Sequence, residues 1–216
     1  ITLSGIHFFL SSIEKTKLTS TIVNSQHPLA EGPHPSRVHA LLMPWNRFWS
    51  GAWSRRFNMG GHWFPIEILI IGLICIAVPY FGSNNIASIR DYTFWTPMLS
   101  IETEIPVVYW TIIPYAALYL FYPVTLILCP KNDRGRVEMI LAMQGMILAT
   151  LFCTFFFLFL PTEIDLRGAI DRDSMNALEA ILFDFIHTSD KPWNAWPSLH
   201  IVHSYLLARM MTVWVK

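Results

Sequence analysis

Four long apolar runs limit what this chain can fold into. Phe64 to Gly82, Ile105 to Cys129 and Met139 to Leu160 are nearly free of charge, and His200 to Val215 is a fourth, shorter run. A helix crosses a hydrocarbon core of about 30 Å with about 20 residues. Within that core, backbone N–H and C=O groups need partners from their own segment, which favours helices. Hydrophobic residues make up 53% of the chain and charged ones 14%, whereas soluble domains carry about a quarter charged. The expectation is an all-α, multi-pass transmembrane helical bundle with four spans. Formal net charge is zero, and no basic stripe indicates a nucleic-acid partner.

Between the runs the chain changes character. Residues 1–36 are mixed and weakly patterned, as expected of a disordered or non-native tail. Residues 37–63 interleave Trp45, Trp49, Trp53 and Trp63 with Arg47, Arg55 and Arg56. Amphipathic aromatics beside cations favour a membrane–water interface. Residues 64–216 form the expected membrane-embedded domain. Glu67 is the one charge of the first run and is expected to snorkel or pair. Ser83 to Glu104 reads as a polar connection rich in turn formers. Cys75, Cys129 and Cys153 lie in or beside apolar runs without metal-ligand spacing, and read as small core hydrophobes. In the connection 161–199, Met175, Leu178, Ile181, Leu182, Phe185 and Ile186 recur at helical spacing. This predicts one short amphipathic helix on the bilayer surface or on the bundle.

Basic residues in short flanks set membrane orientation. Arg47, Arg55 and Arg56 precede the first run, and Lys131, Arg134 and Arg136 fill the link between the second and third. The N-terminus and that link are therefore expected to be cytoplasmic. The connection ending at His200 then faces outward, toward periplasm, lumen or exterior.

That connection ends in Asp190-Lys191-Pro192-Trp193-Asn194-Ala195-Trp196-Pro197-Ser198-Leu199-His200 and runs into the last apolar segment. Proline suits a first helical turn, and Ser198 is a natural cap. The N–H groups of such a start lack intrahelical acceptors and carry the positive end of the helix dipole, so they favour phosphate. His200 falls in that first turn, with an ordinary pKa of about 6.5 suited to general acid chemistry. Arg167 offers a permanently charged planar fork for phosphate. Ser198 and the amides around Leu199 offer oxyanion contacts, and Lys191 and Pro197 are further candidate contacts.

These residues carry a family resemblance. Phe159 to Arg167, followed by Asp190 to His200, resembles the type-2 phosphatidic acid phosphatase superfamily. The similarity is to the branch with Pro-Ser-Leu-His, related to inositol phosphorylceramide and sphingomyelin synthases. Ile105-Pro106 through Trp110-Thr111-Ile112-Ile113-Pro114-Tyr115 is similar to the second span of that branch. The resemblance covers about residues 60–216 and implies six spans in all. It makes Arg167 the phosphate-binding arginine of the first motif and His200 the proton donor to the leaving group. Leu160 and Gly168 stand where that motif has lysine and proline. The third motif, with the nucleophilic histidine and its aspartate, is expected beyond Lys216, which makes the chain a fragment. The implied activity is lipid-phosphate hydrolysis or phosphotransfer through a phosphohistidine. Its substrate is a lipid phosphate in the bilayer, and neither cofactor nor metal is called for.

Other readings stand beside it. Arg167 also reads as a snorkelling anchor, and His200 as an interfacial histidine bonded to a carbonyl. His200 and His203 lie one turn apart, yet no third ligand completes a zinc set. A non-catalytic membrane protein on the same scaffold, binding lipid or a partner, is the alternative from another class. A transporter segment would need intramembrane charges or repeats, and only Glu67 points that way.

Overall fold

The computed structural model describes residues 43–90 and 92–215; the expected tail at 1–36 lies outside them. Among the described residues six α-helices follow one another: α1 Asn46–Ser54, α2 Trp63–Arg90, α3 Ile112–Leu128, α4 Asp133–Phe159, α5 Ala177–Ser189 and α6 Leu199–Trp214. Short 3-10 turns fill several of the connections. Among the described residues there is no β-strand, only isolated bridges. Three helical segments are long and apolar enough to cross a membrane: Trp63–Arg90, Tyr109–Leu128 and Asp133–Phe159. Their outward rows stay apolar, as a hydrocarbon solvent requires. On α2, Ile70, Ile74 and Val78 are exposed one turn apart. On α3 the exposed row includes Ile113, Leu120 and Ile127, and on α4 Leu151, Phe155 and Phe159.

The helix ends differ from the sequence expectation. The first apolar run continues as helix for eight residues beyond Gly82, so Ser83 to Arg90 is not a loop. Its polar side chains bond back to the helix: Ser83 Oγ donates to the Tyr80 carbonyl (2.9 Å), Asn85 Nδ2 to Phe81 (2.8 Å) and Ser88 Oγ to Asn85 (2.9 Å). The second run becomes helical only at Tyr109, with a 3-10 turn, and α4 begins before Met139, at Asp133. The fourth run forms a helix of 16 residues.

The described chain divides into two compact units. One contains residues up to Leu73, Thr125–Met146 and Leu206 onward. Its core includes Trp49, Trp53, Phe64 and Met143. Two tryptophans of the expected interfacial segment are thus packed inside, while Phe48, Phe57 and Trp63 remain exposed. Gln144, in the middle of α4, organises this packing. Its Oε1 accepts from the Trp45 N–H (3.1 Å) and the Trp49 indole (3.3 Å), and its Nε2 donates to the Met43 carbonyl (2.8 Å). Glu67 pairs with Arg55, one of the arginines that precede the span. Gly72 lets α2 lie against α4: a Cβ there would stand 2.0 Å from Met143 Sδ. Small residues at such crossings are what bring membrane helices close.

The second unit contains Ile74–Val124 and Ile147–Tyr205. Cys153, Phe157 and Leu199 form a buried cluster against Tyr80. Thr162, fully buried, is bridged to both Trp95 and Asn194. Its hydroxyl accepts from the Trp196 N–H (2.8 Å), and its carbonyl accepts from Ala195 (3.1 Å). Arg90 donates to the Leu158 carbonyl (2.8 Å), placing a cation on an orphan acceptor at the C-terminus of α4.

Candidate functional site

The segment between α5 and α6 is built around Asp190. Its N–H closes α5 on the Ile186 carbonyl (2.8 Å). Its Oδ1 accepts from the Tyr80 hydroxyl (2.7 Å), from Asn84 Nδ2 (2.9 Å) and from Asn194 Nδ2 (2.8 Å). Tyr80 and Asn84 sit one turn apart on α2, beyond Pro79, so a single helical face presents both donors. Asn84 also donates to the Lys191 carbonyl (3.3 Å). The Lys191 ammonium reaches Ser88 Oγ, one further turn along α2 (2.9 Å).

Arg167 begins a 3-10 turn after α4, where Asp165 Oδ1 accepts its N–H (3.0 Å). Its guanidinium lies over the end of α5 and donates to the carbonyls of His187 (3.4 Å) and Asp190 (2.5 Å). The last carbonyls of a helix have no intrahelical donor, which makes that end attractive to a cation. Burial, and then the nearby Arg167 charge, hold the His187 imidazole below its usual pKa.

Helix α6 starts at Leu199, which puts Ser198 at the cap position, Pro197 just before it and His200 in the first turn. Pro197 and Leu199 are buried; Ser198 and His200 are partly so. The His200 ring stacks on Tyr115 of α3, with centroids 4.3 Å apart and planes 22° apart. Its Nδ1 stands 3.3 Å from the Tyr115 hydroxyl, and the Tyr119 ring meets it edge-on. His200 Nε2 is buried without a hydrogen-bond partner. Leaving a polar atom in that condition costs about 1–3 kcal/mol. The carboxylate of Asp190 lies within electrostatic reach of this ring.

Arg167 and His200 are each linked to Asp190 in a different way, the first by a hydrogen bond and the second only through space. Arg167 holds its backbone and His200 lies within its field. Lys191 is turned toward Ser88 of α2. His203 is buried between the Tyr122 hydroxyl (2.5 Å) and Thr150 Oγ1 (3.1 Å), so both ring nitrogens already have partners. Sequence reasoning missed Tyr80, Asn84, Tyr115, Tyr119 and Asn194. The available signal was weak: a Pro-Tyr pair and an Asn-Asn pair toward the end of an apolar run, and tyrosines spaced at helical intervals over 115–122.

The arrangement suits an anion. A guanidinium, the amides of a helix start and an imidazole nitrogen without a partner are the donors that a phosphoryl group recruits. No family model, curated protein or solved structure matches the chain.

Proposed function

We propose that the chain is part of a multi-pass membrane enzyme that removes or transfers a phosphate borne by a lipid, in the manner of the type-2 phosphatidic acid phosphatases it resembles. One observation carries this reading: His200, in the first turn of α6, keeps a buried Nε2 without a hydrogen-bond partner, in the segment whose Asp190 carbonyl Arg167 holds. In the proposed reaction Arg167 and the Ser198–Leu199 amides hold the non-bridging oxygens, and His200 gives its proton to the leaving alkoxide. Tyr115 fixes the imidazole plane by stacking.

The proposed topology adds α6 as a fourth span. It turns the 161–199 connection outward and leaves the 129–132 link in the cytoplasm, following the basic flanks. Leu178, Ile181 and Phe185 are exposed along one side of α5, which supports its lying in the membrane interface as an amphipathic helix.

Phosphate release from phosphatidic acid, by the full-length protein with and without His200→Ala, tests the reading. The expected loss is about 10²–10⁴-fold, the usual contribution of a positioned general acid. Equal rates remove His200 from the chemistry. A second, non-catalytic reading draws support from the way Arg167 spends donors on backbone carbonyls, as a structural strap does. On that reading Arg167→Ala destabilises the protein without changing lipid turnover.

A further inference from the structure

A second basic cluster lies in the other compact unit, separate from the residues of the candidate site. The chain between α3 and α4 turns through Pro130, Lys131 and Asn132, and Asn132 Oδ1 caps the start of α4 by accepting from the Gly135 N–H (2.7 Å). Beside this turn is a cavity of about 410 Å³. Lys131, Arg136 and His62 line its polar side; Ile66, Leu126 and Ile127 line its apolar side.

Arg136 is the unusual member. It is 4% exposed, yet its Nε has no partner. Its Nη1 donates to Asp133 Oδ1 (2.8 Å), and its guanidinium covers the Phe57 ring at 4.9 Å. Arg56 leans on the same Asp133 oxygen (3.4 Å) and on the same ring (4.4 Å). Lys131 is exposed, and its ammonium donates to His62 Nε2 (2.9 Å). Two of these cations, Arg136 and Arg56, are thus gathered against the carboxylate of Asp133 at the positive end of α4, and Lys131 adds a third positive charge to the cavity lining. Gly61 makes room for them. Its φ is +86°, and a Cβ there would stand 2.6 Å from Arg136 Nη2.

A buried guanidinium with an unused donor, an ammonium at the rim and an apolar wall are complementary to a phosphate group carrying an acyl chain. Basic pockets beside membrane helices take anionic headgroups for the same reason. We propose that this cavity is a second phosphate-binding site, separate from Arg167 and His200, in which Arg136 and Lys131 clasp the anion. Ile66, Leu126 and Ile127 flank the acyl chain when the phosphate belongs to a lipid. The site does not depend on the enzymatic reading.

Equilibrium binding to the detergent-solubilised full chain tests the proposal. Labelled dioctanoyl phosphatidic acid, dioctanoylglycerol and inorganic phosphate serve as probes, all in an Arg167→Ala background that weakens the other site. Phosphatidic acid is expected to bind well above dioctanoylglycerol. Lys131→Gln and Arg136→Gln should each weaken it by about tenfold, the scale of one charge-assisted contact. Gly61→Ala should act in the same direction by displacing Arg136. Lys131 is exposed, so K131Q keeps the test valid if R136Q unfolds. Inorganic phosphate that binds and weakens in parallel identifies a site for phosphate from either source. Binding of the lipid alone identifies a headgroup site. Phosphatidic acid that binds no better than dioctanoylglycerol, or equally well to K131Q and wild type, overturns the proposal.

Discussion

At the scale of single residues, Asp190 gathers three donors on one carboxylate oxygen, and these come from α2 and from the loop before α6. Asn84 is 2% exposed, so removing this acceptor leaves its buried amide with only the longer bond to the Lys191 carbonyl (3.3 Å). Asp190→Ala should cost about 3 kcal/mol, the penalty for an unsatisfied buried group plus the lost charge-assisted bonds. The unfolding midpoint in detergent measures it. Asp190→Asn keeps an acceptor and should recover part of the loss. Gln144 presents the same physics in the other unit. Gln144→Leu is nearly isosteric but leaves the Trp49 indole and the Trp45 N–H without their acceptor, so it should destabilise by about 2 kcal/mol despite raising the apolarity of a spanning helix. Arg167 and His200 stood out as candidates in the sequence because the chemistry proposed for them is carried by residue type and spacing. Tyr80 and Asn84 were not, because they stand more than a hundred residues before the aspartate they serve, and only the fold closes that distance.

Helices were the most legible elements, and their ends the least. A charge-free run of about 20 residues announces a spanning helix, but it does not say where the helix stops. Ser83, Asn85 and Ser88 looked like turn formers, yet each returns its side chain to a carbonyl of its own helix. Helix α5 shows a signal that was present and unread: Asn176 and Glu179 exchange bonds as a capping box, both at 2.9 Å. The close approach of α2 and α4 yields a steric prediction. Gly72→Leu should be destabilising, by about 1–3 kcal/mol for overpacking, and Met143→Ala should relieve it in the double variant. An electrostatic prediction belongs to α5. Arg172 donates to Asp184 across a turn, and this holds the Asp184 carboxyl below its usual range. The folded chain therefore binds fewer protons here than the unfolded one. Its contribution to stability is present above the ordinary carboxylate value of about 4, and it is lost as pH falls through the depressed folded value. Asp184→Asn should flatten that part of the pH dependence of chemical unfolding, a modest effect because the pair is exposed.

For the whole molecule, the three apolar segments predict retention in membranes after alkaline carbonate extraction. The proposed orientation makes a sharper claim. In a chain with Cys75, Cys129 and Cys153 replaced by serine, Lys131→Cys should label only from the cytoplasmic side. Asp173→Cys should label only from the opposite side. Labelling of both from one side reverses or removes a span. Thr162 bears on how the 161–199 connection tolerates change. The backbone bridges at this one buried residue, with its hydroxyl on Trp196, fasten three stretches of sequence, around residues 95, 162 and 195. A peptide tag spliced into 161–164 would have to slide past both neighbours at once. The same tag at Gly168, where added bulk meets nothing within 4 Å, has room to bulge away. Engineering of this scaffold therefore has a permissive joint at Gly168, a short step downstream of its seam at Thr162.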